Sequence, residues 1–245
     1  MRDYKKETEL RVSFIRKTLE ESHAKGIVFG NSGGKDCALV GILCKMACDN
    51  TVSIMLPCQS KQNFGRDMDD AKALTEKFGI ESKVIDLSKL KELMTEAVGS
   101  VTELNNSAIT NIAPRLRMTA LYTYGAANSM LVAGTGNRSE RYMGYFTKWG
   151  DGAFDFNPIS DLTVGEVYEF LEFLEAPRSI IDKAPSAGLF EGQTDEKEMG
   201  VTYAAVDRYI LTGEADEEDK KIIERYYNVS RHKRRLPTVY KDMGD

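Results

Sequence analysis

The 245-residue chain lacks any apolar run approaching the ~20 residues needed to span a bilayer. Its opening stretch, MRDYKKETELRVSFIRKTLEESHAKG, is too charged to hold the apolar core of a signal peptide. Cysteine is scarce: Cys37, Cys44, Cys48 and Cys58 fall in one quarter of the chain, with no Cys-x-x-Cys pair. That pattern excludes a secreted disulfide framework and makes the cytoplasm the expected compartment. Basic excess is missing as well. Thirty-three Lys and Arg stand against 38 Asp and Glu, a net charge of −5. A broad nucleic-acid face is therefore excluded, and neither nucleic acid nor membrane is expected as a partner.

What is present is ordinary for a globular protein: 42% hydrophobic and 29% charged residues, enough for one substantial core. No repeat or low-complexity linker divides the chain, so residues 1–245 are read as a single domain. Cys37, Cys44 and Cys48 are spaced by seven and four residues, which puts them on one helical face. They are read as a small-residue stripe packed on a sheet rather than a metal or iron–sulfur site.

Strand-like and helical segments alternate. A helix is expected over 4–24, with Val12, Ile15 and Leu19 at helical spacing, then a strand at 26–30 and a helix at 35–48. A strand at 51–57, a helix at 64–79 ending on Gly79, a strand at 82–87 and a helix at 89–99 follow. Residues 107–129 read as one helix starting near Pro114, and 130–135 as a buried strand. This order predicts a doubly wound α/β fold, a mostly parallel sheet with helices on both faces. The C-terminal part is mainly helical, with Thr163 and Glu166 at capping-box spacing and a solvated helix start in the charge run at 214–221.

The stretch GNSGGKDC, Gly30 to Cys37, joins the first strand to the next helix. Backbone N–H groups of such a turn, at a helix N-terminus, surround a phosphate, and the glycines permit close approach. Asp36 suits a magnesium ion carried with that phosphate. The Walker A spacing and the dinucleotide G-x-G-x-x-G spacing are both absent.

SGGKDC resembles the SGGxDS loop of ATP pyrophosphatases. Together with NIAPRLRM (111–118), AGTGNRSE (133–140), GYFTKWGDGAFDFNPISDLT (144–163), APSAGLFEGQTDEKEMGVTY (184–203) and HKRRLP (232–237), it resembles the ammonia-dependent NAD synthetases from about residue 10 to 240. The resemblance implies ATP-dependent amidation of deamido-NAD by free ammonia, through an acyl-adenylate, with release of AMP and pyrophosphate. It implies ATP contacts at Gly30, Asn31, Ser32, Gly33, Gly34, Lys35, Asp36, Cys37, Thr135 and Ser186, and magnesium at Asp36 and Glu140. Deamido-NAD would meet Arg115, Lys148, Asp155, His232 and Lys233, with Asp36, Lys148 and Asp155 in catalytic roles. Arg115 is favoured over Arg117 for the dinucleotide, because residues two apart cannot share a helical face. Asp155 is expected to orient ammonia or accept its proton, and Trp149 with the nearby phenylalanines reads either as a stacking wall for nicotinate or adenine or as core packing.

Departures from the family pattern are Cys37 for serine, Val164 for a lysine and Ser186 for threonine, with Lys183 as a nearby cation. Residues 193–200 read as a lid or a plain surface loop. A tRNA thiolase on the same loop, or a non-catalytic nucleotide sensor, are the competing readings. The family's homodimers make the helix at 107–129, with Ala120, Ala126 and Ala127, a candidate interface. His23 has no motif around it and is read as a surface residue.

Overall fold

A computed structural model describes residues 2–58, 65–183 and 195–240. Helix α1 (Tyr4–Ser22) is capped by the Asp3 carboxylate and closes on His23, an exposed residue in the left-handed region at φ 56. Then come β1 (Gly26–Gly30), α2 (Lys35–Ala47), β2 (Thr51–Met55), α3 (Arg66–Phe78), β3 (Glu81–Val84) and α4 (Ser88–Gly99). Next are α5 (Asn106–Thr110), α6 (Ile112–Asn128), β4 (Met130–Ala133), α7 (Arg138–Met143), α8 (Val164–Phe173) and α9 (Arg178–Ile181). The C-terminal part holds α10 (Asp195–Met199), α11 (Tyr203–Thr212), α12 (Glu217–Val229) and a 3₁₀ turn at Arg231–Lys233. Among the described residues, no helix is long and apolar enough to cross a membrane.

The four strands run parallel in the order β3-β2-β1-β4, and Phe156 adds a parallel bridge to Ala133. Both faces are covered, so β1 is apolar on both sides. Ile27 and Phe29 pack with Ile15 of α1, Leu39 and Leu43 of α2, Leu74 of α3 and Phe170 of α8. Val28 faces the other way, packing with Val52, Ile54 and Val132 under Leu116 and Leu121 of α6. Burying one such side chain contributes about 1.5–3 kcal/mol, which is what fixes the register of these short strands. Strand order reverses at β1: the crossover into β2 runs through α2 on one face of the sheet, and the helix that leads into β4, α6, lies on the other. Loops leaving β1 and β4 therefore diverge, and a crevice opens beyond their carboxyl ends.

A third apolar cluster joins α7, α8 and the last helices through Met143, Val164, Met199, Tyr203, Val206 and Ile223. Helix α1 is fastened to the start of α8 by charge: Arg11 meets Asp161 at 2.7 Å and Arg2 meets Glu166 at 2.7 Å. The expected capping box on α8 is present, with Thr163 and Glu166 each satisfying the other's backbone N–H.

The segment expected as one helix over 107–129 is two. Asn111 interrupts it, its side-chain amide donating to the Ser107 carbonyl and its oxygen accepting from Thr147 Oγ1 at 2.6 Å. Pro114 then falls in the first turn of α6, where its missing N–H leaves no intrahelical bond unmade. Strands β2 and β3 stop earlier than the apolar runs that mark them, at Met55 and Val84. Cys37 and Cys44 are buried on the sheet side of α2 and all four thiols are free. Cys48 packs against the same buried cluster, so the stripe lies on the core as the small-residue reading expects.

Candidate active site

The turn between β1 and α2 is held open from behind by one side chain. Asn31 is buried; its amide nitrogen donates to Ser53 Oγ at 3.1 Å, and its oxygen accepts the Gly33 N–H at 3.0 Å. Cys37 Sγ donates to the same oxygen and to the Gly34 carbonyl. Gly33 has φ +70, and a methyl there would collide with the Asp67 carbonyl oxygen, so the chain needs glycine. Ser32, Gly34, Lys35, Asp36 and Cys37, in the turn and at the start of α2, line a cavity of about 1020 Å³, at the upper end of the ~300–1,000 Å³ usual for one small ligand.

Two carboxylates converge at its floor. Asp36, in the first turn of α2, receives a hydrogen bond from Asn137 Nδ2 at 3.0 Å. Asn137 also caps α7: its oxygen accepts the Glu140 N–H at 3.0 Å, while its own N–H donates to Glu140 Oε2 at 3.2 Å. Lys35 Nζ lies 2.7 Å from Asp36 and 4.0 Å from Glu140, with the Tyr203 ring 5.8 Å away. Burial alone would depress the lysine, but the two carboxylates outweigh it and hold its ammonium above the usual range. Glu140 is pushed well up, by burial first and by the neighbouring Asp36 second. Behind it, Ser139 Oγ donates to Asp207 and accepts the Val164 N–H, while Asp207 also accepts the Gly165 N–H at 2.8 Å.

The other walls come from α6 and the loop after α7. Pro114, Arg117, Met118 and Leu121 face the cavity at helical spacing. Arg117 donates to the Leu56 carbonyl at 3.0 Å, and burial lowers its guanidinium from the usual value. Asp151 also lines the space; it is exposed, its carboxylate accepts the Thr147 N–H, and the protein crowded around it raises this carboxyl from its usual range. Lys233 spans the rim, donating to the carbonyls of Gly144 and Phe146 at 2.8 and 2.7 Å. Lys183 braces the glycine turn, reaching Asp67 at 2.7 Å, Asp70 at 3.0 Å and the Gly33 carbonyl at 3.4 Å.

A family profile described as NAD synthase matches residues 7–237. The chain belongs to the NAD synthase family. It is 43% identical to an NH(3)-dependent NAD(+) synthetase of Carboxydothermus hydrogenoformans, over 97% of this chain and 98% of that one. The corresponding protein of Archaeoglobus fulgidus is 38% identical over 97% of each chain. Among solved structures, an NMN synthetase from Francisella tularensis superposes with a TM-score of 0.92, at 37% identity, over 98% of this chain and 99% of that one. An NH3-dependent NAD synthetase from Campylobacter jejuni superposes at 0.80, with 29% identity, over 98% of this chain and 100% of that one. The chain is a carbon–nitrogen ligase of ammonia-dependent NAD synthesis. The NAD synthase family uses ATP as co-substrate and acts on deamido-NAD and ammonia.

The cavity gathers Gly30, Asn31, Ser32, Gly34, Lys35, Asp36, Cys37, Thr135, Glu140 and Lys233. Among the described residues, Gly33, Arg115, Lys148, Asp155 and His232 of the expected set are not in its lining. Arg115 is exposed, outside the cavity wall, with one guanidinium nitrogen 3.5 Å from the Lys148 carbonyl. Lys148 donates to the His232 carbonyl at 3.0 Å and lies 5.3 Å from the Trp149 ring, so these residues form a separate outer group. Trp149 itself is exposed; the cavity's aromatic wall is Phe146 with Tyr145, Tyr168 and Tyr226. Asp155 also lies outside the lining, occupied by the Val132 N–H at 2.7 Å and Tyr122 Oη at 3.2 Å. Val164 is buried in the third apolar cluster, away from the cavity, and Ser186 lies outside the described residues. Of the segment read as a lid, 195–199 is the short helix α10, and 193–194 lie outside the described residues.

Asn137 and Asp151 escaped the sequence reading. The signal for the first was Asn137-x-x-Glu140, a capping box at the end of a glycine turn. For Arg117, the apolar stripe Pro114–Met118–Leu121 marks the buried face of α6, and Arg117 lies on it while Arg115 does not.

Proposed function

We propose that the triphosphate of ATP docks on the Ser32–Lys35 turn and that a nicotinate carboxylate attacks its α-phosphorus there. The observation that carries this reading is the convergence of that turn, Asp36, Glu140 and Thr135 on one cavity. The attacking oxygen forms a bond to phosphorus, the bond to the bridging α–β oxygen breaks, and pyrophosphate leaves. Ammonia then adds to the acyl carbon, AMP departs with the bonding pair, and the nitrogen loses its extra protons. Main-chain N–H groups of the turn and the start of α2 stabilise charge on the phosphate oxygens; removing one such contact commonly costs roughly 10²–10³ in rate.

Asp36 and Glu140 fit magnesium. Both offer hard oxygen donors, and both already turn toward one cation, the Lys35 ammonium. When bound, magnesium would neutralise phosphate charge in the transition state. Arg117 supplies a half-buried positive charge on the opposite wall. For ammonia's proton, Asp151 is the better candidate than Asp155: its carboxyl faces the cavity and is raised, whereas the Asp155 carboxylate already accepts two hydrogen bonds. Lys148, Arg115 and His232, outside the cavity, would meet the far end of a dinucleotide, and Lys233 would touch it at the rim.

A homodimer is also part of this reading. Helix α4 buries none of its side chains and exposes Leu90, Leu93, Met94 and Val98 at helical spacing, beside α6, whose Ala126 and Ala127 are exposed. A row of that kind on a stable monomer is costly to hydrate, and a second copy would cover it. Ala120, by contrast, packs within its own chain.

The likeness to an NMN synthetase favours a second acceptor, the nicotinate mononucleotide, which carries the same carboxylate on a smaller body. One assay decides. With ATP, magnesium and ammonium, deamido-NAD yields NAD, AMP and pyrophosphate; the ratio of kcat/KM for the two acceptors assigns the preferred one. Pyrophosphate release without amide in Asp151→Asn, with full amidation in Asp155→Asn, supports the proton assignment; the reverse pattern refutes it.

A further inference from the structure

Lys35 occupies an unusual place. It is the first residue of α2, yet its side chain is 6% exposed and lies between the two carboxylates expected to hold metal. Asp36 gives Oδ1 to Asn137 and Oδ2 to the lysine. Glu140 gives Oε2 to the Asn137 N–H and turns Oε1 toward the lysine. Each carboxylate therefore has one oxygen tied down by Asn137 and the other facing the same ammonium. The Tyr203 ring closes the far side.

We propose that the Lys35 ammonium is a resident cation that keeps the Asp36–Glu140 pair closed to free divalent metal, so that metal enters only with a nucleotide triphosphate. The inference rests on the assignment of Asp36 and Glu140 as metal ligands. An ammonium and a divalent ion cannot sit between the same two oxygens, because like charges at contact distance repel strongly in a buried site. Metal must displace the lysine, and a displaced, buried ammonium needs new acceptors for its three donors. A triphosphate on the adjoining Ser32–Gly34 turn supplies them one residue away. The flexible four-carbon stem of lysine lets the ammonium change partners without moving α2. The exchange leaves both carboxylates to the metal and the lysine on phosphate oxygens.

The test uses Mn2+ as the probe, with free ion counted by electron paramagnetic resonance, with and without a non-hydrolysable ATP analogue. Wild-type protein should take up Mn2+ only with the analogue present. Lys35→Met should bind Mn2+ without nucleotide, tighter than wild type by about tenfold or more, and Mn2+ alone should raise its melting temperature. Adding Glu140→Gln should abolish that gain. Should Lys35→Met fail to fold, Lys35→Gln is measured in the same way. Equal Mn2+ affinity of wild type with and without the analogue overturns the proposal, as does a lysine variant that gains none. Wild type that takes up no Mn2+ even with the analogue bound overturns the ligand assignment itself.

Discussion

Asn137 donates to Asp36 across 3.0 Å although 101 residues separate them in the chain. One fully buried amide thus aligns the carboxylate of α2 with the capped start of α7 that carries Glu140. Asn137→Ala should cost about 1–2 kcal/mol through the lost cap, read from urea unfolding. Asn137→Ser keeps a good cap but is too short to hold Asp36. It should unfold near the wild-type midpoint while pyrophosphate release falls about tenfold, a split that a purely structural role would not give.

Gly33 is the second test. Its positive φ and the Asp67 carbonyl behind it forbid a side chain. Gly33→Ala should destabilise by about 1–3 kcal/mol and weaken binding of an ATP analogue measured by calorimetry. Unchanged affinity would argue that the turn does not carry the triphosphate.

Thiol chemistry follows from burial. Enclosure pushes the Cys37 and Cys44 thiols up, so neither forms thiolate near neutral pH. Native protein at pH 7.5 (about one unit below a free thiol) should react slowly with a thiol reagent. The half-exposed Cys48 should lead, and all four should react after unfolding. Cys37→Ser should remain folded and active, because a hydroxyl serves the Asn31 and Gly34 acceptors at least as well.

Acid sensitivity should trace to the clasp on α1. Burial would raise the Asp161 and Glu166 carboxyls, but hydrogen bonds from Arg11 and Arg2 overcome it and hold both below the usual carboxylate range. Their contribution is present above the unfolded value, about 4, and is lost as pH falls through the lower folded value. Stability followed from pH 6 down to about 3 should decline more steeply in wild type than in Arg11→Met, where the shift on Asp161 is weakened.

The sheet and the glycine turn after β1 were legible because both depend on local pattern. Apolar runs ending in glycine mark β1, Gly79 ends α3, and Thr163 with Glu166 announces α8. Asp151 against Asp155 was not legible. They lie four residues apart in one motif, and which faces the cavity depends on the turn through Trp149 at φ 61 and Gly150 packed on Pro114. Periodicity carries no record of such a turn. The break at Asn111 was hidden for a related reason: a long-range partner, Thr147, helps to hold it.

Asp207 carries a consequence for how the molecule comes apart. It is the shared acceptor for Ser139, one residue before Glu140, and for Gly165 at the head of α8, although it belongs to α11 near the C-terminus. Shortening the chain from its end past α11 would therefore not release a smaller ATP binder. It would strip the hydroxyl next to the acidic pair of its acceptor and loosen two helix starts together, so the nucleotide half and the tail should melt as one cooperative unit.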